Sequence, residues 1–175
     1  LVNFFFKAPT FPKMLDVKGI QQAILKAIEQ GRMGYVPYMT IASDYEWGRS
    51  TQNNTVELLK QLAPELKLKK EFWPRLGETQ FTSYITAIMG QKPDFVIGSI
   101  ASKDNVAWIK QAKAYGFFDK IPYPGSLISV SELILQSKTL TRGMVGLCRA
   151  PFFAHLDVPM MADFVKNFKS KYNRY

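Results

Sequence analysis

Short apolar runs typical of strands alternate with amphipathic helical stretches along most of this chain. Residues 95–98 are apolar without interruption, as in a strand buried on both faces, and a helical pattern follows from about Asp104 to Gly116. Residues 35–42 also favour a strand, and the helical stretch after them carries apolar residues at helical spacing. Strands that alternate with helices in this way form a parallel sheet covered on both sides. The pattern predicts an α/β fold, a Rossmann-like three-layer arrangement with a mostly parallel sheet flanked by helices.

The same reading places the other elements. Ser43 and Asp44 are expected to cap the helix that follows the first of these strands, and Thr79 is expected to precede the next helix. Further strands are predicted at residues 1–6, 66–73, 121–127 and 144–150, and further helices at residues 20–28, 131–138 and 157–172.

Composition limits the kind of protein. The 175 residues carry 23 Lys+Arg against 14 Asp+Glu, a net charge of +9, and 47% are hydrophobic. This length and composition fit one packed domain over residues 1–175, with no apolar run long enough to cross a bilayer. With Cys148 as the single cysteine, neither an internal disulfide nor a multi-cysteine zinc site is possible within the chain. We predict no metal site.

Motifs of common enzymes are missing. Neither a G-x-G-x-x-G turn nor a G-x-x-x-x-G-K-[ST] loop occurs, and the single histidine, His155, lacks a G-x-S-x-G or H-E-x-x-H context. We therefore predict no catalytic residues, no cofactor and no enzymatic activity. Two alternatives stay open: a Rossmann-like enzyme with an unrecognised cofactor loop, and a basic nucleic-acid-binding module. For the second, the lysines at residues 67–70 instead favour the solvated side of a strand or a protected strand edge, so no nucleic-acid partner is expected.

Candidate ligand-binding residues lie where predicted strands end, because ligands of parallel sheets bind at the carboxyl ends of the strands. This rule selects residues 43–48, 98–104 and 124–129. Two aromatic rings and a glycine stand in the first of these loops, where rings can cover a ligand and backbone N–H groups at a helix start can attract a carboxylate. Serines in the other two loops can add hydroxyl groups. The candidates are Tyr45, Trp47, Gly48, Ser99, Ser102 and Ser126.

Several ordered motifs resemble one family. Residues 44–49 (DYEWGR) resemble its D-Y-x-aromatic-G-[RK] loop, residues 77–82 (GETQFT) its G-x-T-D-F-[ST] helix start, and residues 92–96 (KPDFV) its K-P-D-x-V strand entry. An I-K-Q-A helix, an R-G-M-V strand and a final F-x-x-x-F-x-x-x-Y helix follow in the family's order. The family is the type I periplasmic solute-binding proteins of ABC importers, in the branched-chain amino acid-binding branch of extracellular ligand-binding receptors.

The resemblance implies a clamshell of two α/β lobes that closes on its ligand. This chain would be the carboxy-side lobe, a fragment of a two-lobe protein, with residues 1–7 and 142–151 as the crossing segments. The implied function is extracytoplasmic capture of a small molecule, an amino acid or a small carboxylate or aromatic compound, for a membrane ABC permease. The signal peptide is not in this chain, and the parent protein is expected to be a periplasmic monomer.

Site roles carry over position by position. Trp47 matches the aromatic residue that covers the ligand side chain, and Ala101 or Ser102 falls where family members that bind amino acids carry another aromatic residue. Ser126 falls near the acid that holds the ligand's ammonium group in those members. Burying an ammonium group without a partner is costly, so the missing acid favours a ligand other than a leucine-like amino acid.

Overall fold

The computed structural model describes residues 25, 29–30, 36–127, 145–147 and 156–173. The predicted strand at residues 1–6 and helix at residues 131–138 lie outside the described residues, as does most of the predicted helix at residues 20–28. The described elements are β1 (Val36–Ala42), α1 (Glu46–Leu62), β2 (Leu66–Phe72), α2 (Thr82–Gln91), β3 (Phe95–Ser99), α3 (Ser102–Ala114), α4 (Phe117–Lys120), β4 (Pro124–Leu127), β5 (Val145–Leu147) and α5 (Pro159–Tyr172).

Parallel strands form the centre of the fold. A three-stranded sheet has the order β2-β1-β3, and β4 pairs with β5 in a second, two-stranded parallel sheet. The Val96 N–H donates to the Pro122 carbonyl over 3.0 Å, which ties the segment before β4 to β3. The predicted α/β fold with a parallel sheet flanked by helices is therefore confirmed.

Side-chain alternation along the strands gives each face of the sheet its own core. On one face, Val36 and Tyr38 pack with Leu59 of α1. On the other face, the buried residues of β1 and β3 pack against α2 and α3, together with α4 and the segment before β4: Met39, Ile41, Phe72, Phe81, Ile85, Ile88, Val96, Ile100, Trp108, Ile109, Ala112, Phe117, Ile121 and Tyr123. Burial on both faces is why the first four residues of β3, 95–98, are apolar. The result is the predicted arrangement of three layers.

The start of α1 differs from the prediction. Ser43 and Asp44 do not cap this helix; the N-cap is Tyr45, and it makes no side-chain capping bond. The Asp44 carboxylate instead accepts a hydrogen bond from Nε of Arg49 over 2.7 Å, so it is not available to the helix N–H groups. The short helix α4 was not predicted, because four residues are too few to show a helical period.

The edge of the three-stranded sheet agrees with the prediction from the sequence. Strand β2 lies at the edge of the three-stranded sheet, and Lys67, Lys69 and Lys70 on it are exposed, as expected for lysines that protect an edge. Among the described residues, no helix has both the length and the apolar character that crossing a membrane requires.

Candidate functional site

Strand order creates a crevice at one edge of the sheet. Helix α1 leaves the carboxyl end of β1 towards one face, whereas α3 leaves β3 towards the other face. Where connections diverge in this way, the loops leave a gap between two neighbouring strands, and ligands of open α/β sheets bind there. The Ser43 N–H donates to the Ser99 carbonyl over 3.2 Å and joins the two strand ends beneath this gap. We call the gap between these two strand ends the β1–β3 crevice.

Two aromatic rings stand at the β1–β3 crevice. Tyr45 and Trp47 are both half-buried, and their ring centroids lie 6.0 Å apart at an interplanar angle of 37°. Tyr45 is the N-cap of α1, and its N–H donates to the Ser43 carbonyl over 2.9 Å, which fixes the turn that leads into the helix. Two neighbouring rings that keep part of their surface exposed can cover an apolar or planar ligand.

Gly48 has a packing role in the same turn. It is buried, and a Cβ atom at this position would overlap the carbonyl oxygen of Ser43. Only glycine therefore lets the first turn of α1 lie directly on the end of β1. Gly48 was predicted as a ligand-binding residue; the structure places it in the first turn of α1, on the side that packs against Ser43, and its binding role stays a prediction.

The β3 side of the crevice contains three predicted residues in different environments. Ser99 is only 3% exposed, on the face of β3 that continues Phe95 and Ile97 towards α1. Ala101 is the half-buried N-cap of α3 without a side-chain capping bond, and Ser102 is exposed. Ser102 has a φ of 56°, in the left-handed region that costs a non-glycine residue about 1–2 kcal/mol. Strained backbone of this kind clusters at ligand-binding sites.

Ser126 lies in β4, where its backbone is paired with Gly146 of β5. Its side chain is outside the part of the chain that the structure describes. The predicted role of the Ser126 hydroxyl therefore stays a prediction.

A charged pair lies at the start of α1. Nε and Nη2 of Arg49 each lie 2.7 Å from Oδ1 of Asp44, and the guanidinium carbon lies 4.0 Å from the centroid of the Trp73 ring. The hydrogen bond from Arg49, with its positive charge, lowers the pKa of Asp44. The Asp44 N–H also donates to the Pro74 carbonyl over 2.7 Å. These contacts join the ends of β1 and β2.

The loop after β2 belongs to the same edge but was missed from the sequence. It carries Leu76, which is 61% exposed, and Trp73, which is half-buried under Arg49. The Gly77 N–H donates to the buried carboxylate of Asp104 over 2.7 Å and so ties this loop to α3. The rule that selected the ends of β1, β3 and β4 applies equally to β2, and it would have found these residues.

Two of the resembling motifs meet at the start of α2. The Gln111 side chain accepts a hydrogen bond from the Phe81 N–H and donates one to the Thr79 carbonyl, both over 2.8 Å. Oε1 of Glu78 accepts from the N–H groups of Gln80 and Thr79, and these bonds lower the pKa of Glu78. The motifs around residues 77–82 and 109–112 therefore build the junction of α2 and α3, away from the aromatic pair.

Within the described ranges, no cluster of three or more His, Cys, Asp or Glu residues has the arrangement of a metal site. His155 and Cys148 lie outside these ranges. The arrangement that the structure does show is one for binding: an aromatic pair next to two helix starts, α1 and α3, neither of which has a side-chain cap. First-turn N–H groups of such helices can receive an anionic group of a ligand.

Known proteins resemble this chain in family and in fold. A family model described as periplasmic binding protein matches residues 22–175. An amino acid ABC transporter substrate-binding protein from Pseudomonas fluorescens superposes with a TM-score of 0.65 at 16% identity, over 89% of this chain and 41% of that protein. A fatty acid ABC transporter substrate-binding protein from Thermomonospora curvata gives 0.59 at 17% identity, over 89% and 40%.

A branched-chain amino acid ABC transporter periplasmic ligand-binding protein from Burkholderia xenovorans gives a TM-score of 0.53 at 15% identity, over 89% of this chain and 40% of that protein. No curated protein sequence matches the chain. At these identities the likeness to the solved structures concerns the fold, and the chain spans about two fifths of their length.

The family match settles two of the predictions from the sequence. It covers most of the chain, and both the family and these structural neighbours are solute-binding proteins and not enzymes. The predicted resemblance is thereby confirmed, and the alternative of a Rossmann-like enzyme is set aside. The chain therefore belongs to the periplasmic binding protein family.

Proposed function

We propose that this chain is the carboxy-side lobe of an extracytoplasmic solute-binding protein that captures a small molecule for an ABC importer. The half-buried pair of Tyr45 and Trp47 at the β1–β3 crevice is the observation that carries the proposal. The family match and the names of the structural neighbours support it. In this proposal the parent protein works as a monomer in the periplasm and passes its ligand to a membrane permease.

The ligand proposed is a small carboxylate with an apolar or aromatic body. The two rings can cover the apolar body, and the uncapped starts of α1 and α3 offer N–H groups to the carboxylate. Two structural neighbours are named for amino acids and fatty acids, compounds that share a carboxylate group. This common group supports the proposed ligand class.

A carboxylate without an ammonium group fits this site better than a leucine-like amino acid. Ser126 falls near the position at which the resemblance implies an acidic partner for an ammonium group. A serine hydroxyl cannot offset the charge of a buried ammonium group, and a buried unpaired charge is strongly destabilising. We therefore place simple carboxylates before zwitterionic amino acids.

A nucleic-acid role is not part of the proposal. Between residues 36 and 127 the chain has 11 Lys or Arg residues and 9 Asp or Glu residues, so the part around the β1–β3 crevice is almost neutral. Binding to nucleic acid depends on a concentrated basic surface and weakens steeply with salt. The other 12 Lys or Arg and 5 Asp or Glu residues, which carry +7 of the net charge of +9, belong to the rest of the sequence.

The two-lobe arrangement has a consequence for affinity. In the proposal, residues 1–7 and 142–151 are crossing segments, and closure of a second lobe over the β1–β3 crevice removes the ligand from water. The fragment of residues 1–175 offers only half of such a site. Experiments on ligand binding therefore need the complete two-lobe protein.

A thermal-shift screen of the two-lobe protein tests the proposal. The panel contains aromatic and aliphatic monocarboxylates, their neutral amides and zwitterionic amino acids. A ligand that binds the folded state alone raises the melting temperature, so a carboxylate should raise it and the matching amide should not. A panel without any shift, or equal shifts with acids and amides, would contradict the proposed ligand class.

Variants show whether the aromatic pair is responsible. Trp47→Ala removes one ring and should weaken binding by roughly 10- to 100-fold. This corresponds to the loss of about 1.5–3 kcal/mol, the free energy of burying a large apolar side chain. Tyr115→Ala is the matched control, because Tyr115 is 43% exposed and lies at the opposite end of α3. Equal losses in the two variants would overturn the role assigned to Trp47.

A further inference from the structure

The interface between α1 and the sheet changes character along its length. Near the start of β1 it is apolar and contains Val36 and Leu59. Closer to the carboxyl end of β1 it contains Thr40 and Gln52, which are buried at 0% and 1% exposure. Oγ1 of Thr40 and Oε1 of Gln52 have no hydrogen-bond partner among the residues that the structure describes. Two buried polar atoms therefore lie within one helix–sheet interface.

Glu71 explains why the Gln52 amide points as it does. Nε2 of Gln52 donates to Oε1 of Glu71 over 3.1 Å, and Glu71 is the cross-strand neighbour of Thr40. A carboxylate can only accept, so the amide must present its nitrogen to Glu71. The amide oxygen is then directed elsewhere and needs a donor of its own.

We propose that one ordered water molecule is bound beneath α1 by Thr40, Gln52 and Glu71. The water donates to Oε1 of Gln52 and to the Glu71 carboxylate, and it accepts the hydroxyl proton of Thr40. Buried waters typically make about three hydrogen bonds to polar groups that have no protein partner. This assignment satisfies both orphan atoms, whose burial without partners is otherwise costly.

Water fits the donor set better than a metal cation does. Glu71 is the single carboxylate among the three proposed ligands, and the other two are a hydroxyl and a neutral amide oxygen. Calcium and magnesium take six or more oxygen ligands and prefer several carboxylates. The described residues include no cluster of three or more His, Cys, Asp or Glu. The Glu71 carboxylate also contributes to the raised pKa of Tyr38, so its charge acts on the interface between α1 and the sheet.

A crystal structure of the complete protein at about 1.5 Å tests the proposal, since ordered water is resolved there. We expect one water within hydrogen-bonding distance of Thr40 Oγ1, Gln52 Oε1 and a Glu71 carboxylate oxygen. A direct bond between Thr40 and Gln52 with no water between them would overturn the proposal. So would a metal ion with six oxygen ligands at this place.

Stability measurements give a second test, in which the direction of the change in melting temperature distinguishes the two outcomes. If water occupies the site, Thr40→Val removes one of its partners and lowers the melting temperature by about 2–4 °C, whereas Thr40→Ser keeps the water. Thr55→Val is the matched control in α1, because the Thr55 hydroxyl already donates to the Thr51 carbonyl over 2.8 Å. A rise in melting temperature for Thr40→Val would show an unpartnered hydroxyl and contradict the bound water.

Discussion

Single residues set how closely the elements around the crevice approach each other. Gly48 has no side chain, and this lets α1 begin directly on the Ser43 carbonyl. Arg49 then binds Asp44 and stacks on Trp73, which holds the first turn in place. The position of Trp47 therefore depends on the two residues that follow it. This explains why an aromatic residue, a glycine and an arginine occur here in this order.

Substitution of Gly48 tests this packing role. Gly48→Ala forces a Cβ atom against the Ser43 carbonyl oxygen and should lower the free energy of unfolding by about 1–3 kcal/mol, the usual effect of overpacking. Gly90→Ala is the matched control, because a Cβ atom at Gly90 in α2 meets no atom within 4 Å. The control should raise the free energy of unfolding by about 0.5–1 kcal/mol. Urea denaturation measures both, and a stable Gly48→Ala variant would contradict the account.

Tyr38 gives the protein a pH limit on the alkaline side. Burial raises the pKa of Tyr38 to about 12, and the Glu71 carboxylate adds to the rise. An unfolded tyrosine has a pKa of about 10, so above pH 10 the unfolded state loses a proton that the folded state keeps. The contribution of Tyr38 to stability is fully present below pH 10 and declines as the pH rises towards 12.

The expected result is a free energy of unfolding that falls between pH 10 and pH 12, with a smaller fall in Tyr38→Phe. Urea denaturation at a series of pH values measures this slope. Tyr115→Phe, at a tyrosine that is 43% exposed, should leave the slope of the native protein unchanged. The same slope in Tyr38→Phe and in the native protein would show that Tyr38 is not the group responsible.

At the scale of elements, periodicity in the sequence was enough to find the central sheet. The predicted strands at residues 35–42, 66–73 and 95–98 differ from Val36–Ala42, Leu66–Phe72 and Phe95–Ser99 by one residue at most at each end. A strand buried on one or both faces must be apolar in a regular pattern, so its position can be predicted from the local sequence. The edge position of β2 was likewise visible from its alternating lysines.

Features that depend on distant residues were not accessible in this way. The N-cap of α1 was misplaced because Asp44 binds Arg49, a choice of partner that local sequence does not determine. Gln111 reaches an N–H group 30 residues earlier in the chain. The burial of Ser99 could have been anticipated, because it follows Phe95 and Ile97 on the same side of β3. The site prediction used loop position and did not use this alternation.

The junction of α2 and α3 is where an element-level prediction can be tested. Gln111→Ala leaves the Phe81 N–H and the Thr79 carbonyl without their side-chain partner and should lower the free energy of unfolding by about 1–2 kcal/mol. Gln61→Ala is the control, because Gln61 makes only an exposed hydrogen bond to Glu57 within α1. Its effect should stay within about 0.5 kcal/mol. Equal effects measured by urea denaturation would contradict a capping role for Gln111.

At the scale of the whole molecule, a parallel sheet with helices on both faces places several loops on one edge. The ends of β1, β2 and β3 are joined there by backbone and side-chain hydrogen bonds. The family to which the chain belongs and the neighbours in structure are solute-binding proteins. In the proposed function, this edge with its aromatic pair is the half-site on which a second lobe closes.

The most direct test of the proposed site is a crystal structure of the two-lobe protein with the carboxylate that stabilises it most in the thermal-shift screen. The account predicts that the ligand lies in the β1–β3 crevice, with its apolar body within about 4 Å of Trp47 and its carboxylate bonded to N–H groups at the start of α1 or α3. A ligand bound elsewhere, without contact to Trp47 or to either helix start, would contradict it.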